Sequence, residues 1–325
     1  MKFIQTSDIH VGECRSLEDY LSRHKSILQQ ITDFAVDTKL PLVIPGDIFH
    51  AKKTPHEEKF LVDWWFGDLD EKQIPTIITA GNHDHLYGEV TQLDGYQYHP
   101  YKYVKIVTWK PKVLTIGDIG FICISWGGYQ TDQIEKIVRS KLPMIAQKKY
   151  KVVLLHECIS GVTLDNGFIM PSGTKIPKIP EITYWAVGDI HNHQKTNVVN
   201  GYYAGAPAQF KFDDKLPKGL IVVDLEHPSL KPKFHPLKSK ALKTVTSVTD
   251  IEDDSYYKIK GTLDEVIKAN RENKVVKSEL VKENEDVLEY DKLGIVDGLP
   301  EFLASKGIDP ERQKKAVAWV QSVKP

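Results

Sequence analysis

Short apolar runs alternate with longer helical stretches over the first two thirds of the chain. The short runs end at glycine or polar residues, which is typical of strands buried on both faces. The stretch over about 17–36 has apolar residues at a period near 3.6 and predicts a helix, and a second helix is predicted over about 56–69. Alternating strands and helices predict a layered α/β fold. The predicted strands cover 2–7, 42–45, 76–80, 152–155, 184–187 and 221–225.

The pattern changes after residue 226. Residues 227–243 are rich in Lys and Pro, which predicts an extended connector. A strand, a helix and a second strand follow and predict a small α+β unit. Two terminal helices come last, the second with an apolar stripe. The predicted organisation is a main domain over 1–226, a connector over 227–243, a small domain over 244–290 (strands 255–261 and 274–281, helix 264–273) and C-terminal helices over 291–325 (300–305 and 310–323).

Composition narrows the class of protein. The 325 residues are 41% hydrophobic, which is enough for one large domain and a smaller one. Apolar runs stay well short of the roughly 20 residues of a membrane span, and the first residues are too quickly polar for a signal peptide. Three scattered cysteines favour a reducing cytosol. Because the net charge is −1, any attraction to nucleic acid must come from local patches and bound metal.

Motifs rich in Asp, His and Asn occur in one order along the chain, and most of them directly follow apolar runs. In α/β sheets, ligand groups collect on loops at the carboxyl ends of strands. Each motif alone has a structural explanation, since Gly-Asp is a common turn and a lone His is usually structural or solvated. The ordered set is what indicates a site. The motifs are Asp8-Ile9-His10, Gly46-Asp47, Gly81-Asn82-His83-Asp84, His156, Gly188-Asp189-Ile190-His191 and Gly205-Ala206-Pro207.

This residue set suits hydrolysis of a phosphodiester by two divalent metals, which activate water and stabilise the leaving oxygen. Asp8 and His10 face the same way in an extended segment and suit one metal. Asp47, after a glycine at a strand end, is the predicted bridging ligand. The remaining predictions concern one motif: Asn82 as an oxygen ligand of the second metal, His83 as a general acid, and Asp84 as the group that orients His83. The histidines assigned to structural or surface roles are His50, His56, His85, His99, His227 and His235.

These motifs resemble those of calcineurin-like metallophosphoesterases, and more closely those of the SbcD-type DNA exonuclease subunits. Three segments narrow the resemblance to the SbcD group: Thr6-Ser7-Asp8-Ile9-His10-Val11-Gly12, Gly46-Asp47-Ile48-Phe49 and Tyr203-Ala204-Gly205-Ala206-Pro207. The resemblance covers roughly residues 1–225, and the later region only in layout. It implies a cap domain over the duplex and C-terminal helices that bind a coiled-coil ATPase of the SbcC type. It also implies a first metal on Asp8, His10, Asp47 and His191, and a second on Asp47, Asn82, His156 and the residue at 189.

One motif departs from the family, whose last ligand segment usually has the form Gly-His-x-His. Here the matching residues are Gly188-Asp189-Ile190-His191, followed by His193. In one interpretation Asp189 replaces the first histidine and pairs with His191. In the other the register shifts by two, and His191 and His193 carry the metals. The first keeps the glycine turn in register, and an added carboxylate favours hard metals, Mn²⁺ first and Mg²⁺ second.

Three functional hypotheses follow. The first is a two-metal DNA exonuclease and endonuclease subunit that acts in repair, recombination or replication with an SbcC-like ATPase. The second is a phosphatase or cyclic-nucleotide phosphodiesterase, because this type of fold does not decide the substrate. The third is a non-enzymatic scaffold that docks an ATPase, which the full ligand set disfavours. DNA, the ATPase and a second copy of the chain are the partners considered.

Overall fold

The computed structural model describes residues 1–165, 167–198, 200–212, 214, 217–251, 253–271, 275, 277–280, 309–311 and 313–315. The helices are α1 Tyr20–Thr38, α2 His56–Glu71, α3 Asp94–Gln97, α4 Thr131–Lys141 and α5 Leu263–Arg271. The strands are β1 Lys2–Gln5, β2 Leu42–Pro45, β3 Thr76–Thr79, β4 His85–Tyr87, β5 Val90–Thr91, β6 Val104–Val107, β7 Lys112–Ile116, β8 Ile119–Ile124, β9 Tyr150–His156, β10 Tyr184–Gly188, β11 Gln194–Lys195, β12 Gly201–Tyr203, β13 Gly219–Asp224, β14 Lys233–Pro236, β15 Leu242–Val245, β16 Tyr256–Gly261 and β17 Lys277–Leu280.

The first large sheet has the strand order β14-β13-β1-β2-β3-β6. Strands β1, β2, β3 and β6 are parallel, and β13 and β14 add antiparallel to the β1 edge. Ile4 and Ile44 pack with residues of α1 and α2 on one face of this sheet. Phe3 and Val43, the preceding residue in each strand, pack on the other face. Burial on both faces explains why these strands are continuous apolar runs.

The second large sheet has the order β11-β12-β10-β9-β8-β7 and packs against the first. The rings of Phe121 and Tyr184 contact Phe3 edge-on across the interface, with centroids 6.1 and 5.8 Å away. The outer face of the sheet is covered by α4, which buries Ile134 and Val138. The layers are therefore helices, sheet, sheet and helix, which is the α/β fold with mixed central sheets flanked by helices expected of a metallophosphoesterase.

A small third sheet, β15-β16-β17, is parallel and packs with α5 around Ile259 and Val266. It contacts the main body through Tyr256, whose hydroxyl donates to the Asp19 carboxylate at the start of α1. Leu17 joins the same contact, packing with Leu242 and Tyr256.

Most of the predicted elements are present, with local differences. The first helix begins at Tyr20 instead of residue 17, because Leu17 lies in a turn that faces Tyr256. The predicted connector over 227–243 contains β14, which pairs with β13 and extends the first large sheet. Strand β8, buried at every position, was not predicted. The predicted helix over 300–305 and most of the predicted helix over 310–323 lie outside the described residues. Among the residues that the structure describes, no helix is long and apolar enough to cross a membrane.

Candidate metal centre

The motif residues meet at the carboxyl ends of strands from both large sheets. The first sheet supplies the residues after β1, β2 and β3, and the second supplies those after β9 and β10. The two sheets approach each other closely where Gly46, after β2, lies against the His156 imidazole. There is no room at Gly46 for a Cβ, which would overlap that ring. The side chains at these strand ends are Asp8, His10, Asp47, Asn82, His83, His156, Asp189 and His191.

One group of potential ligands consists of Asp8, His10 and His191, whose ligand atoms lie within 4.8 Å of one another. Nε2 of His10 and Nε2 of His191 are 3.0 Å apart. Asp8 is fully buried, and its Oδ1 accepts a hydrogen bond from the backbone N–H of Asp189 at 3.0 Å. Nδ1 of His10 is also buried, and no hydrogen-bond partner among the described residues faces it.

A second group consists of Asp8, Asp47 and His156. His156 Nδ1 lies 2.8 Å from the carbonyl oxygen of Pro45, which can only accept, so Nδ1 carries a proton and Nε2 is the nitrogen left for a second proton or a metal ion. Three oxygens face that nitrogen: Asn82 Oδ1 at 2.9 Å, Asp47 Oδ2 at 3.4 Å and Asp189 Oδ1 at 3.7 Å. The same Asp47 oxygen is 3.6 Å from His10 Nε2 and therefore lies between the two groups.

The backbone at these positions is strained. Asp8, His10, Asp47 and Asp189 have φ values of 54°, 48°, 57° and 104°. Non-glycine residues with positive φ cost about 1–3 kcal/mol each and are concentrated at functional sites. The fold therefore holds four motif residues in a backbone conformation that is uncommon for residues other than glycine.

The electrostatics of the centre are dominated by burial and by close pairs of opposite charge. Burial raises the pKa of the Asp8 carboxyl to about 6, although the His156 and His191 imidazoles oppose this shift. Burial would also raise the pKa of Asp47, but the facing His156 and His10 imidazoles hold it well below its usual range. Asp47 in turn raises the pKa of His156 well above its usual value, against the effect of burial.

These residues fit divalent metal ions. Carboxylate, amide and imidazole acceptors converge in a buried space, where two imidazole Nε2 atoms face each other and a third faces three oxygens. Buried acceptors without donors are unfavourable unless a proton or a cation lies between them. Oxygen and imidazole ligands suit Mn²⁺ and Mg²⁺, and a carboxylate between two groups is what a metal pair requires.

His83 lies beside the centre, and its orienting partner differs from the prediction. Nδ1 of His83 lies 2.5 Å from the backbone carbonyl of His50 and donates to it. The Asp84 carboxylate instead accepts hydrogen bonds from the N–H groups of Ile48, Phe49 and Gly81 at 2.9–3.2 Å. The prediction that Asp84 orients His83 is therefore wrong: Asp84 ties the loop after β2 to the loop after β3. Burial and the nearby Asp47 raise the pKa of Asp84 to about 7.

The two candidates of the last motif lie in different surroundings. Asp189 lines a cavity of about 430 Å³ together with His83 and His191. His193 faces away from the centre, because its Nδ1 bonds the carbonyl of Tyr203 at 2.9 Å. Neither Asp189 nor His193 belongs to the metal-ligand groups found among the described residues, so the difference between them is one of position. Gly205, from the last motif of the sequence, packs against the backbone of the 191–193 segment.

Four residues near the centre were not predicted. His50 forms a group with His10 and His83, and its Nδ1 contacts the Glu13 carboxylate. Its position directly after the Gly-Asp-x-Phe motif was the available signal. Asp165, Lys211 and Lys218 come from loops whose course could not be inferred from the sequence, since no periodic pattern or motif marks them.

The chain belongs to the calcineurin-like phosphoesterase family, whose model matches residues 1–193. It is therefore a member of a family of metal-dependent phosphoesterases, and its described residues contain four groups able to hold a metal ion.

Two curated archaeal relatives are named DNA double-strand break repair protein Mre11. The chain is 27% identical to the Archaeoglobus fulgidus protein over 214 residues, which is 59% of this chain and 46% of the relative. It is 21% identical to the Methanopyrus kandleri protein over 237 residues, 65% of this chain and 50% of the relative. The chain thus spans about half the length of the curated relatives it matches.

Solved structures with a similar fold include the calcineurin-like phosphoesterase YfkN from Bacillus subtilis, with 13% identity and a TM-score of 0.39 over 73% of this chain and 88% of that chain. The protein TT1561 of Thermus thermophilus is 12% identical, with a TM-score of 0.42 over 73% of this chain and 99% of that chain.

Proposed function

We propose that the protein is a two-metal DNA nuclease subunit, with exonuclease and endonuclease activity, that acts with an SbcC-like ATPase in repair, recombination or replication. The observation that carries the phosphodiesterase part is the position of Asp47 Oδ2, 3.6 Å from His10 Nε2 and 3.4 Å from His156 Nε2. A single carboxylate oxygen placed between two imidazoles suits a bridging ligand. The proposed first site is Asp8, His10, Asp47 and His191, and the proposed second site is Asp47, Asn82, His156 and Asp189.

Two divalent ions bound here, Mn²⁺ first and Mg²⁺ second, would activate water and neutralise charge on the leaving oxygen. The chain's own contribution is to position the ligands and to handle a proton. Since His83 Nδ1 donates to His50, its Nε2 is the nitrogen that can exchange a proton with a substrate in the cavity. Lys211 lines the same cavity and favours an anionic substrate.

DNA as the substrate is supported by three features. The sequences of the motifs resemble those of the SbcD group, and two curated relatives are named as DNA double-strand break repair proteins. The small sheet β15-β16-β17 with helix α5 follows the main domain at the place where that group carries a cap domain. The lysine-rich segment over 231–243 adds positive charge suited to phosphate contacts, mainly at Lys231, Lys233 and Lys238, because Lys240 and Lys243 pair with Asp254 and Asp253. No zinc-finger or helix-turn-helix signature, which would recognise base edges, is found in the sequence. The proposal is therefore cleavage without sequence specificity.

A phosphatase or cyclic-nucleotide phosphodiesterase is the alternative. The cavity of about 430 Å³ beside the centre is within the range of small-molecule sites, roughly 300–1,000 Å³, and would admit a mononucleotide.

The two functions separate in one comparison of substrates. The full chain is assayed with Mn²⁺ on linear duplex DNA, bis-p-nitrophenyl phosphate and cyclic nucleotides, with Asp47→Ala as the control for contaminating activity. The proposal expects metal-dependent cleavage of the duplex, abolished by the substitution. Turnover of the small substrates alone would favour the alternative, and no turnover of any substrate would contradict both.

A further inference from the structure

His191 is held at three points. Its Nε2 lies 3.0 Å from His10 Nε2, on the side of the candidate metals. Its Nδ1 lies 3.0 Å from Oδ2 of Asp165, on the opposite edge of the ring, which is an ion-pair distance although the two groups are not aligned for a hydrogen bond. Its backbone carbonyl accepts hydrogen bonds from Lys218 Nζ at 2.9 Å and from the N–H of Ala206 at 3.0 Å. Both the ring and the backbone of this residue are therefore fixed from outside the candidate ligand set.

Lys218 is an unusual side chain for this position. It lies directly before β13, and only 4% of it is exposed. Its ammonium donates to the His191 carbonyl and to Asn192 Oδ1 at 3.2 Å, and it lies 4.0 Å from Asp165 Oδ1. A buried ammonium is unfavourable unless it is paired and hydrogen-bonded. Asp165 supplies the paired charge, and Asp165 in turn contacts His191.

The position of the Asp165 carboxylate favours one tautomer of His191. An ionised carboxylate only accepts hydrogen bonds, so the proton of a neutral His191 belongs on Nδ1, facing Asp165. Nε2 is then left with its lone pair toward His10 and Asp8. A carboxylate behind a ligating histidine orients the ring and makes it a better ligand, and losing such a partner typically lowers metal affinity about 10–100-fold.

We propose that Asp165 and Lys218 are positioning residues for the candidate metal centre, with Asp165 setting the tautomer of His191 and Lys218 fixing its backbone and the Asp165 carboxylate. The part that concerns metal affinity rests on the proposed two-metal function. The part that concerns the tautomer does not, because it can be observed in the metal-free protein.

The test begins with the full chain treated with a chelator. Long-range ¹H–¹⁵N spectra of the histidine side chains, at a pH that keeps them neutral, identify the tautomer of His191, with His191→Gln for assignment. The wild type should show the proton on Nδ1. Asp165→Leu, which removes the acceptor at similar size, should move a large fraction of it to Nε2. Asp132→Leu makes the same change on the exposed face of α4 and should leave the tautomer unaltered.

Calorimetric titration with Mn²⁺ then tests the consequence. Asp165→Leu should weaken one of two Mn²⁺ sites about 10–100-fold and leave the other unchanged. Lys218→Met should act in the same direction, and Lys218→Arg, which keeps the charge, should recover part of the loss. An unchanged tautomer and unchanged Mn²⁺ affinities in Asp165→Leu would overturn the inference. So would selective loss of a third Mn²⁺, which would make Asp165 a ligand, as its grouping with His191 and Asp214 would allow.

Failure of the proposed function has a different signature. A wild-type protein that binds no Mn²⁺, or hydrolyses nothing, would remove the two-metal proposal. The tautomer measurement would still decide the role of Asp165.

Discussion

At the scale of single residues, the centre concentrates acceptor atoms that need a cation. Asp47 is the most connected of them: its Oδ2 faces His10 and His156, while its Oδ1 accepts the backbone N–H of His83 at 2.9 Å. Removing this carboxylate should therefore affect both proposed sites and the loop that carries His83.

Asp47→Ala should abolish metal-dependent hydrolysis and lower Mn²⁺ affinity at both sites, because each loses a shared negative ligand. Calorimetry measures the two affinities, and Asp37→Ala, on the exposed side of α1, is the matched control. Two Mn²⁺ sites of wild-type affinity in Asp47→Ala would show that Asp47 does not bridge.

His83→Gln should lower kcat by about 10²–10⁴-fold, the usual contribution of a general acid or base. Mn²⁺ binding should persist, since the His83 ring is held by the His50 carbonyl and is not in the proposed ligand set. Steady-state kinetics and calorimetry on the same preparation separate the two effects, with His56→Gln, at the exposed start of α2, as control. Loss of one Mn²⁺ in His83→Gln would make His83 a ligand.

The register of the last motif can be tested by ranking three variants. Asp189→Ala should lose as much activity as His156→Ala, because the two side chains face each other at the proposed second site. His193→Ala should keep most of the activity, because its ring faces the Tyr203 carbonyl. Initial rates on one substrate with saturating Mn²⁺ give the ranking, and an active Asp189→Ala beside an inactive His193→Ala would support the shifted register.

At the scale of elements, the centre depends on how closely adjacent strand ends approach. Gly46 has φ +92°, and a Cβ there would overlap the His156 ring at the end of β9. Gly81, after β3, has equally little room beside the Asp47 carboxylate. Gly46 and Gly81 are thus required because a functional side chain from another strand end lies against each of them.

Gly46→Ala should displace His156 and weaken the Mn²⁺ site that it serves, in addition to a backbone strain of about 1–3 kcal/mol. Gly88→Ala is a matched control, because Gly88 also has a positive φ, +51°, but has open space around it. Thermal unfolding should show destabilisation in both variants, while calorimetry should show a lost or weakened site only in Gly46→Ala. Equal Mn²⁺ binding in the two would exclude the steric role of Gly46.

The sequence predicted the elements of the fold better than their contacts. Runs such as Leu42–Pro45 are apolar because both faces are buried, so their positions could be inferred from pattern alone. Strand β14 was predicted as part of a connector, because an edge strand that contains lysine and proline has the composition of a linker. Asp165 and Lys218 could not be found, because their role depends on loop geometry, and Asp84 was misassigned because its three partners are backbone groups that carry no sequence signal.

At the scale of the whole molecule, the proposed partner-binding segment over 291–325 lies mostly outside the described residues and remains a prediction. Our proposal that it binds an SbcC-like ATPase rests on the resemblance to the SbcD group, and the apolar stripe predicted over 310–323 suits a helix that docks on a partner.

Deleting residues from Leu299 onward should leave Mn²⁺-dependent cleavage of short substrates nearly unchanged, because the candidate centre is built from residues before 220. The same deletion should abolish co-purification with the ATPase and ATP-stimulated cleavage of long duplex. Thermal unfolding of the truncated protein checks that it is folded. A truncated protein that binds the ATPase with wild-type affinity, or one that fails to fold, would contradict this assignment.

Strand β1 is paired on one side by β13, which begins at Gly219, far later in the chain. Synthesis at about 5–20 residues per second separates these two strands by tens of seconds at the slower rate. During that interval β1 has an open edge, and Lys218 is not yet in place against the His191 carbonyl. The growing chain thus contains its candidate ligands before β13 and Lys218, which help to align them, have been synthesised. The alignment of the candidate ligands therefore depends on residues that are synthesised after all of them.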